Sequence, residues 1–137
     1  MSSFRESFTP VPFQTFLGLR FEWAGDEVTA VLPYADHLIG NPLLPALHGG
    51  VIGALLEATA MAQLAHSEPR ARQPKPIDVN VQYLRSGRPQ TTFARAQIKR
   101  AGRRIATVFA EAWQDQRAAP IASLQAHFLL AESDLVL

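Results

Sequence analysis

The residues best suited to carry chemistry lie in one stretch, His48 to Ala65, which reads HGGVIGALLEATAMAQLA. It is apolar over about five helical turns, opens with two glycines and contains one carboxylate, Glu57. A helix that is apolar on every side belongs in a protein interior. A carboxylate there must be paired, hydrogen-bonded or neutral, because burying a bare charge is costly. This conflict makes Glu57 the leading candidate for a catalytic group.

The stretch also offers a second group that could act on an acyl carbonyl. A carboxylate can activate water or attack the carbonyl carbon. The start of a helix presents unpaired N–H groups and a positive dipole end, which stabilise the oxyanion that develops. Gly49 lets a substrate approach this backbone closely because it has no Cβ.

Helix geometry separates these two groups. Glu57 lies nine residues after His48, roughly 13 Å along the helix axis. That is too far for Glu57 and Gly49 of one chain to share a carbonyl carbon. We therefore expect Glu57 of one subunit to act with the helix start of another subunit in a homodimer.

Composition narrows the class of protein. The 137 residues fit a single domain spanning 1–137,. The net charge of +1 gives no electrostatic basis for binding nucleic acid or an anionic membrane,. The chain has no cysteine, which excludes disulfides, thiolate nucleophiles and cysteine-based zinc sites,. The four histidines show no metal-ligand spacing,, so neither a metal nor a separate cofactor is expected.

The apolar stretch predicts a core helix. It falls short of the ~20 residues of a membrane span and contains Glu57 and Gln63,. The N-terminus shows no charged lead followed by an apolar run, the pattern of a signal peptide,. We therefore expect a cytoplasmic protein with no membrane partner.

Alternation of apolar and polar residues predicts six strands, over residues 17–23, 28–32, 77–83, 94–98, 105–113 and 122–130,. A short apolar turn or helix is expected between Pro10 and Phe16, and loops over Pro33–Leu47 and Ser67–Pro76,. Short turns favour antiparallel neighbours. Residues 105–113 are apolar on both faces, which is typical of a central strand with its small residues against a helix. One helix cannot cover both faces of such a sheet, so association of subunits is favoured.

The segment Leu47–Ala60, LHGGVIGALLEATA, resembles the motif of hotdog-fold acyl-CoA thioesterases of the PaaI-like group. In that motif His-Gly-Gly opens a helix and an acidic residue follows nine positions after the His. VNVQYLRSGRP at 79–89 and KRAGRR at 99–104 are similar to later parts of the family pattern, and the likeness runs from about Phe13 to Leu130. It implies an α+β hotdog fold, with an antiparallel sheet of about six strands wrapped around one long central helix. It also implies active sites at a dimer interface.

The resemblance assigns roles to residues of the motif. It implies that Glu57 is the general base or nucleophile, that the Gly49 N–H is the oxyanion donor and that His48 orients the site. Asn41 would be the amide that positions water or the carbonyl, although it lies seven residues before His48 and the family spacing is usually six. Some relatives carry a hydroxyl one turn after the acid, where this chain has Met61.

The same resemblance implies a substrate that includes coenzyme A. Gly50 and Met61 are candidate substrate-binding residues, and arginines would contact the phosphates of coenzyme A, since guanidinium groups bind phosphate well. The candidates are Arg85, Arg88, Arg103 and Arg104. Such arginines are as often solvated charges of turns. Three points stay open: which acyl group the substrate has, whether coenzyme A or a carrier protein bears it, and whether the protein is a dimer or a tetramer.

Two other functions compete with thioester hydrolysis. HLIGNPLLP at 37–45 resembles the His-x-x-Gly-x-Pro loop of hotdog-fold 3-hydroxyacyl thioester dehydratases. Those enzymes have fewer residues between His and Glu than the twenty positions from His37 to Glu57, and no intervening His-Gly-Gly. The third function is a non-catalytic acyl-thioester binder, in which Glu57 would be structural and bonded to the backbone or to Gln63.

Overall fold

A computed structural model describes residues 11–68 and 73–130. Its helices are α1 (Pro12–Leu17), a 3-10 turn (Asp36–Leu38) and α2 (Gly49–Ser67). Its strands are β1 (Arg20–Ala24), β2 (Glu27–Leu32), β3 (Ile39–Asn41), β4 (Ala46–Leu47), β5 (Lys75–Tyr83), β6 (Thr92–Ala101), β7 (Ile105–Trp113) and β8 (Ala122–Leu129). Pro10 of the expected short helix and four residues of the connection expected over Ser67–Pro76 lie outside the described residues.

Six strands form one sheet in the order β1-β2-β6-β7-β8-β5, and every neighbouring pair is antiparallel. The long helix α2 packs against the inner face of this sheet. The expected α+β class, the six strands and the single long helix are therefore confirmed.

The small-residue face of β7 explains how α2 can lie so close to the sheet. Its inward residues are at most 1% exposed: Ala106, Val108, Ala110 and Ala112. Leucines from the covered side of α2 fill the space above them: Leu55, Leu56 and Leu64. The prediction of a central strand pressed against a helix is confirmed. No helix among the described residues is long and apolar enough to span a membrane.

The first strand begins later than predicted. Leu17 ends α1, and Gly18 follows with φ of 83°, so the expected strand over 17–23 starts only at Arg20. A left-handed residue after a helix satisfies the last carbonyl groups, and glycine adopts that conformation without strain. The expected short helix over Pro10–Phe16 is confirmed as α1 within its described residues.

The chain after α2 follows a different path from the predicted one. The short turn between β5 and β6 was expected to join neighbouring strands, but β5 pairs with β8 and lies at the edge of the sheet. Ile77 is 51% exposed and Val79 is 39% exposed, because no described strand or helix covers this edge.

The outer face of the sheet carries aromatic side chains that solvent still reaches. Phe93 stacks on Trp113 at 5.9 Å between ring centroids, and Lys99 lies over the Phe109 ring at 5.6 Å. Ile105 is 48% exposed on the same strand as Phe109 and Trp113. Apolar residues therefore occupy both faces of β7, as predicted, while the association of subunits through this face stays a prediction.

Candidate active site

The start of α2 leaves one backbone donor available. His48 is the N-cap residue, and its Nδ1 accepts the Gly50 N–H at 2.8 Å. The carbonyl of His48 accepts the N–H groups of Val51 and Ile52. Among the described residues, no acceptor binds the Gly49 N–H. The role of the Gly49 N–H as an oxyanion donor stays a prediction, whereas the Gly50 N–H is used inside the cap.

Gly40 holds the cap residue in place. The His48 N–H donates to the Leu38 carbonyl at 2.9 Å. A Cβ built on Gly40 would lie 2.6 Å from the His48 Cα and 2.9 Å from its Cβ. Only glycine permits this close approach. Gly40 was predicted only as part of the dehydratase-like loop, and its contact with His48 was not predicted.

Tyr83 covers the first turn of α2 from β5. Its hydroxyl donates to the Gly49 carbonyl at 2.8 Å. Its ring and hydroxyl atoms lie 3.5 Å from the points that side chains on Gly49 would occupy, and its hydroxyl lies equally near that point on Gly53. Tyr83 lies in the family-like segment 79–89, but no role was predicted for it. Gly49 and Gly53 were the signal in the sequence, because residues without side chains allow another group to pack closely against the helix.

Glu57 lies on the side of α2 that the sheet leaves open. It is half-buried, as are Gly49, Gly53 and Met61, which share this side at helical spacing,. The expectation of full burial is therefore wrong, because the sheet covers only the opposite side of the helix. Within the described part of the chain, no hydrogen bond or ion pair engages the Glu57 carboxylate.

Gln63 is not the partner of Glu57 that a structural role would require. Its Oε1 accepts the Val28 N–H at 2.9 Å, and its Nε2 donates to the carbonyl of Asp26 at 2.8 Å and to the hydroxyl of Ser67 at 2.7 Å. These bonds join the end of α2 to the β1–β2 hairpin.

Other polar residues beside the motif are engaged locally. The Asn41 Oδ1 accepts the Leu43 N–H at 3.0 Å in an exposed turn, so its role towards water or the carbonyl stays a prediction. The Thr59 hydroxyl is fully buried and donates to the Leu55 carbonyl at 2.6 Å. In the preceding loop, a hydrogen bond to Asp36 raises the pKa of Tyr34.

A groove of about 370 Å³ runs beside the helix start. It is lined by Ala46, Leu47, Gly49, Ile52, Tyr83, Leu84, Arg85, Ser86 and Gly87. The Arg85 guanidinium lies in this groove and donates to the Pro120 carbonyl at 2.6 Å. Glu57 does not line the groove. One chain therefore presents the helix-start donor and the carboxylate in two different places.

The candidate arginines separate into two groups. Arg85 and Arg88 belong to the loop beside the helix start, and Arg88 forms a salt bridge with Asp115. Arg103 and Arg104 line a second groove of about 400 Å³ in the β6–β7 turn. Because β6 is 10 residues long, this turn lies roughly 30 Å from the helix start along the strand direction. The four arginines cannot contact one small group within one chain.

The described residues contain no cluster of three or more His, Asp or Glu that could hold a metal ion. The candidate site offers the carboxylate of Glu57, the imidazole of His48, the phenol of Tyr83 and the backbone N–H of Gly49.

Comparison with known proteins assigns the chain to a family. Residues 44–121 match the family model described as Thioesterase superfamily, and the chain belongs to that superfamily. It is 29% identical over 122 residues to the medium/long-chain acyl-CoA thioesterase YigI of Escherichia coli, covering 78% of each chain.

Solved structures show that the fold is the hotdog fold. A protein of Chromobacterium violaceum is 35% identical, with a TM-score of 0.74 and coverage of 98% of this chain and 100% of that one. A protein of Bacillus halodurans solved with CoA is 18% identical, with a TM-score of 0.82 and coverage of 96% and 85%; this second likeness concerns the fold alone. The prediction that the chain is a hotdog-fold thioesterase is confirmed.

We expect Gly40→Ala to destabilise the protein by about 1–3 kcal/mol, because the new methyl group must displace the backbone of His48,. Urea unfolding followed by circular dichroism measures this loss. Gly53→Ala is the matched control, since its methyl group would meet its nearest neighbour at 3.5 Å, an ordinary contact, and alanine favours the helix. Equal urea midpoints for Gly40→Ala and wild type would show that the contact is not restrictive.

Proposed function

We propose that this protein hydrolyses the thioester of an acyl-CoA, with Glu57 of one subunit and the Gly49 N–H of the other at each active site. The proposal rests on two groups of α2 for which the described residues provide no partner: the Gly49 N–H at the helix start and the Glu57 carboxylate on the open side of the helix. Membership of the Thioesterase superfamily and the likeness to an acyl-CoA thioesterase support this reaction. The His-Gly-Gly motif with Glu57 nine positions later favours the PaaI-like group within the superfamily.

The proposed reaction needs one base and one oxyanion site. Glu57 removes a proton from water, and the hydroxide adds to the thioester carbon while the Gly49 N–H donates to the oxygen that gains negative charge. The tetrahedral intermediate then breaks its C–S bond, and the thiolate of coenzyme A takes the proton from Glu57. The products are a free acid and a free thiol, and no further reagent is consumed.

Among residues 11–68 and 73–130, no strand pairs with the outer edge of β5, and this edge would supply the surface for a homodimer. This strand is nine residues long, and apolar residues on it and just after it are exposed: Ile77, Val79, Tyr83 and Leu84. A long, unprotected edge pairs readily with a second strand. A two-fold axis through this edge would place two β5 strands antiparallel and bring the open sides of both α2 helices together. A tetramer would additionally use the aromatic outer face.

This arrangement also suggests where coenzyme A binds. Antiparallel pairing sets the Lys75 end of the partner's β5 beside the Tyr83 end of this strand. The β6–β7 turn with Arg103 and Arg104 lies at the Lys75 end, since Lys75 pairs with Leu129, and Leu129 in turn with Ile105. The partner's Arg103 and Arg104 would then lie about three strand spacings away, roughly 15 Å from the groove beside Gly49. We propose that they bind the phosphates of coenzyme A.

The acyl chain would follow the open side of α2. Met61 lies one turn after Glu57 and is half-buried there. A flexible thioether side chain adapts to apolar ligands of different shapes. We propose that Met61 contacts the acyl group and that Gly50, which is exposed, leaves room for the thioester.

The dehydratase alternative gains no support from its own motif. The His37 Nε2 lies 2.9 Å from the Phe16 carbonyl, and its ring packs on the Phe16 ring with centroids 4.7 Å apart. His37 therefore packs α1 against the loop that precedes the candidate active site.

We expect wild-type protein to release free thiol from acyl-CoA and Glu57→Gln to lose at least 100-fold in kcat, because general-base catalysis is worth roughly 10²–10⁴-fold. Glutamine keeps the shape and removes the base. A thiol-reactive dye with a panel of acyl chain lengths gives the measurement. Glu111→Gln is the matched control, since Glu111 lies on β7 away from α2.

Two results would contradict the proposed function. Reversible dehydration of a 3-hydroxyacyl thioester without thiol release would support the dehydratase. Tight binding of acyl-CoA with no turnover would leave a binding protein, in which the Glu57→Gln variant would bind as well as the wild type.

We expect replacement of both Arg103 and Arg104 by glutamine to raise KM for acyl-CoA about tenfold and to leave kcat nearly unchanged. Charge-assisted hydrogen bonds to phosphate would be lost from binding but not from chemistry. Arg20→Gln at the far edge of the sheet is the control variant. The same acyl group on pantetheine, which lacks the nucleotide phosphates, should show equal KM values in all variants. An unchanged KM for acyl-CoA would exclude Arg103 and Arg104 from the binding site.

A further inference from the structure

The peptide unit between Gly49 and Gly50 is bound at both of its polar atoms by side chains. Its N–H donates to the Nδ1 of His48 at 2.8 Å. Its carbonyl accepts the hydroxyl of Tyr83 at 2.8 Å. These side chains come from different parts of the fold, the N-cap of α2 and the end of β5. One peptide plane is therefore fixed from two directions.

The backbone of two adjacent glycines needs contacts of this kind to hold one conformation. Glycine has no Cβ to restrict φ and ψ, and each glycine in a helix costs about 1 kcal/mol relative to alanine. A catalytic donor, however, must keep its direction, because a preorganised N–H is worth far more than a mobile one. The glycines give a substrate access to the backbone, and the neighbouring side chains restore the order that glycine lacks.

We propose that Tyr83 is a positioning residue of the thioester site, acting through the Gly49–Gly50 peptide on the Gly49 N–H and on His48. This inference rests on the proposed function and adds a residue to it. The Tyr83 hydroxyl fixes the peptide that follows the Gly49 Cα, while the bonds from Val51 and Ile52 to the His48 carbonyl fix the peptide that precedes it. The Gly49 N–H lies in the preceding plane, and the Tyr83 bond restricts its direction from the plane on the other side of the Gly49 Cα.

The same bond acts on the imidazole of His48. A hydrogen bond to a peptide carbonyl polarises the N–H of that peptide and strengthens the bond it donates. Because the His48 Nδ1 is the acceptor, the ring proton of neutral His48 lies on Nε2. Tyr83 thereby favours the tautomer of His48 whose Nε2–H can donate to a ligand, and it acts through the Gly49–Gly50 peptide.

The test is Tyr83→Phe, which removes one oxygen and keeps the ring in the groove. Tyr83 is 56% exposed, so the fold should persist. We expect kcat for acyl-CoA hydrolysis to fall about tenfold with KM unchanged, the size expected for one neutral hydrogen bond. We also expect amide exchange of Gly50 to become about tenfold faster. The ¹⁵N spectrum of His48 should show less of the Nε2–H tautomer.

Tyr34→Phe is the matched control. Tyr34 is the other tyrosine of the chain, and its hydroxyl donates to Asp36 at 2.7 Å rather than to the backbone of α2. We expect this variant to keep the wild-type kcat and the wild-type exchange rate of Gly50.

The outcomes separate this inference from the proposed function. An inactive wild-type protein would overturn the proposed function. Unchanged Gly50 exchange in Tyr83→Phe would overturn the positioning role whether or not the wild type is active. With an active wild type, an unchanged kcat in Tyr83→Phe would also overturn it, even if exchange became faster.

Discussion

The rise of an α-helix is the constraint on which this structure depends. It holds Gly49 and Glu57 too far apart on α2 to meet at one carbonyl carbon, and no rotation of side chains closes that gap. A chain with both groups on one helix can use them together only by pairing with a second copy. The exposed edge of β5 offers the means, because an antiparallel pair of β5 strands would set two helix starts against two carboxylates.

The two sides of α2 differ in burial, because the sheet covers only one of them. Alanines on β7 let α2 pack closely on one side, and this packing supplies the apolar contacts that hold the helix in place,. The opposite side, with Gly53, Glu57 and Met61, remains reachable. A helix that is apolar all round thus has one side for its own core and one side that would be available to a substrate and a second subunit. Glu57 lies on the second side, which resolves its apparent conflict with an apolar sequence.

The helix start shows how a flexible sequence can present a rigid donor. His48 binds the Gly50 N–H, Gly40 lets the preceding loop close over His48, and Tyr83 binds the Gly49 carbonyl. The bond from Tyr83 joins residues 34 positions apart in the sequence. The precision of the site is therefore a property of the fold, and a short peptide with the same motif would lack it.

Local sequence patterns predicted the features that depend on interactions between residues close in sequence. Alternation predicted the six strands of the large sheet, and the apolar run predicted α2. The loop expected over Pro33–Leu47 was wrong in part, because it contains the short antiparallel pair β3 and β4. The spacing of His48, Gly49 and Glu57 indicated the candidate site. The position of β5 could not be predicted, since strand order depends on contacts between distant segments and not on the length of a turn. The half-burial of Glu57 was missed for the same reason, because the sequence does not show which side of a helix a sheet will cover. Tyr83 and Gly40 act through long-range contacts that no short motif contains.

The most direct test of a shared active site is complementation between two inactive subunits. Gly49→Pro removes the donor and adds a ring: proline is tolerated at the first helical position, and His48, with φ of −62° and ψ of 133°, suits the residue before it,. Gly49→Ala keeps the N–H and adds only a methyl group, so it measures the effect of the added carbon by itself. Gly49→Pro and Glu57→Gln chains are co-expressed with different tags, and the heterodimer is isolated. We predict that each homodimer is inactive and that the heterodimer, with one intact site of two, has about half of the wild-type activity. A heterodimer no more active than its parents would contradict the account.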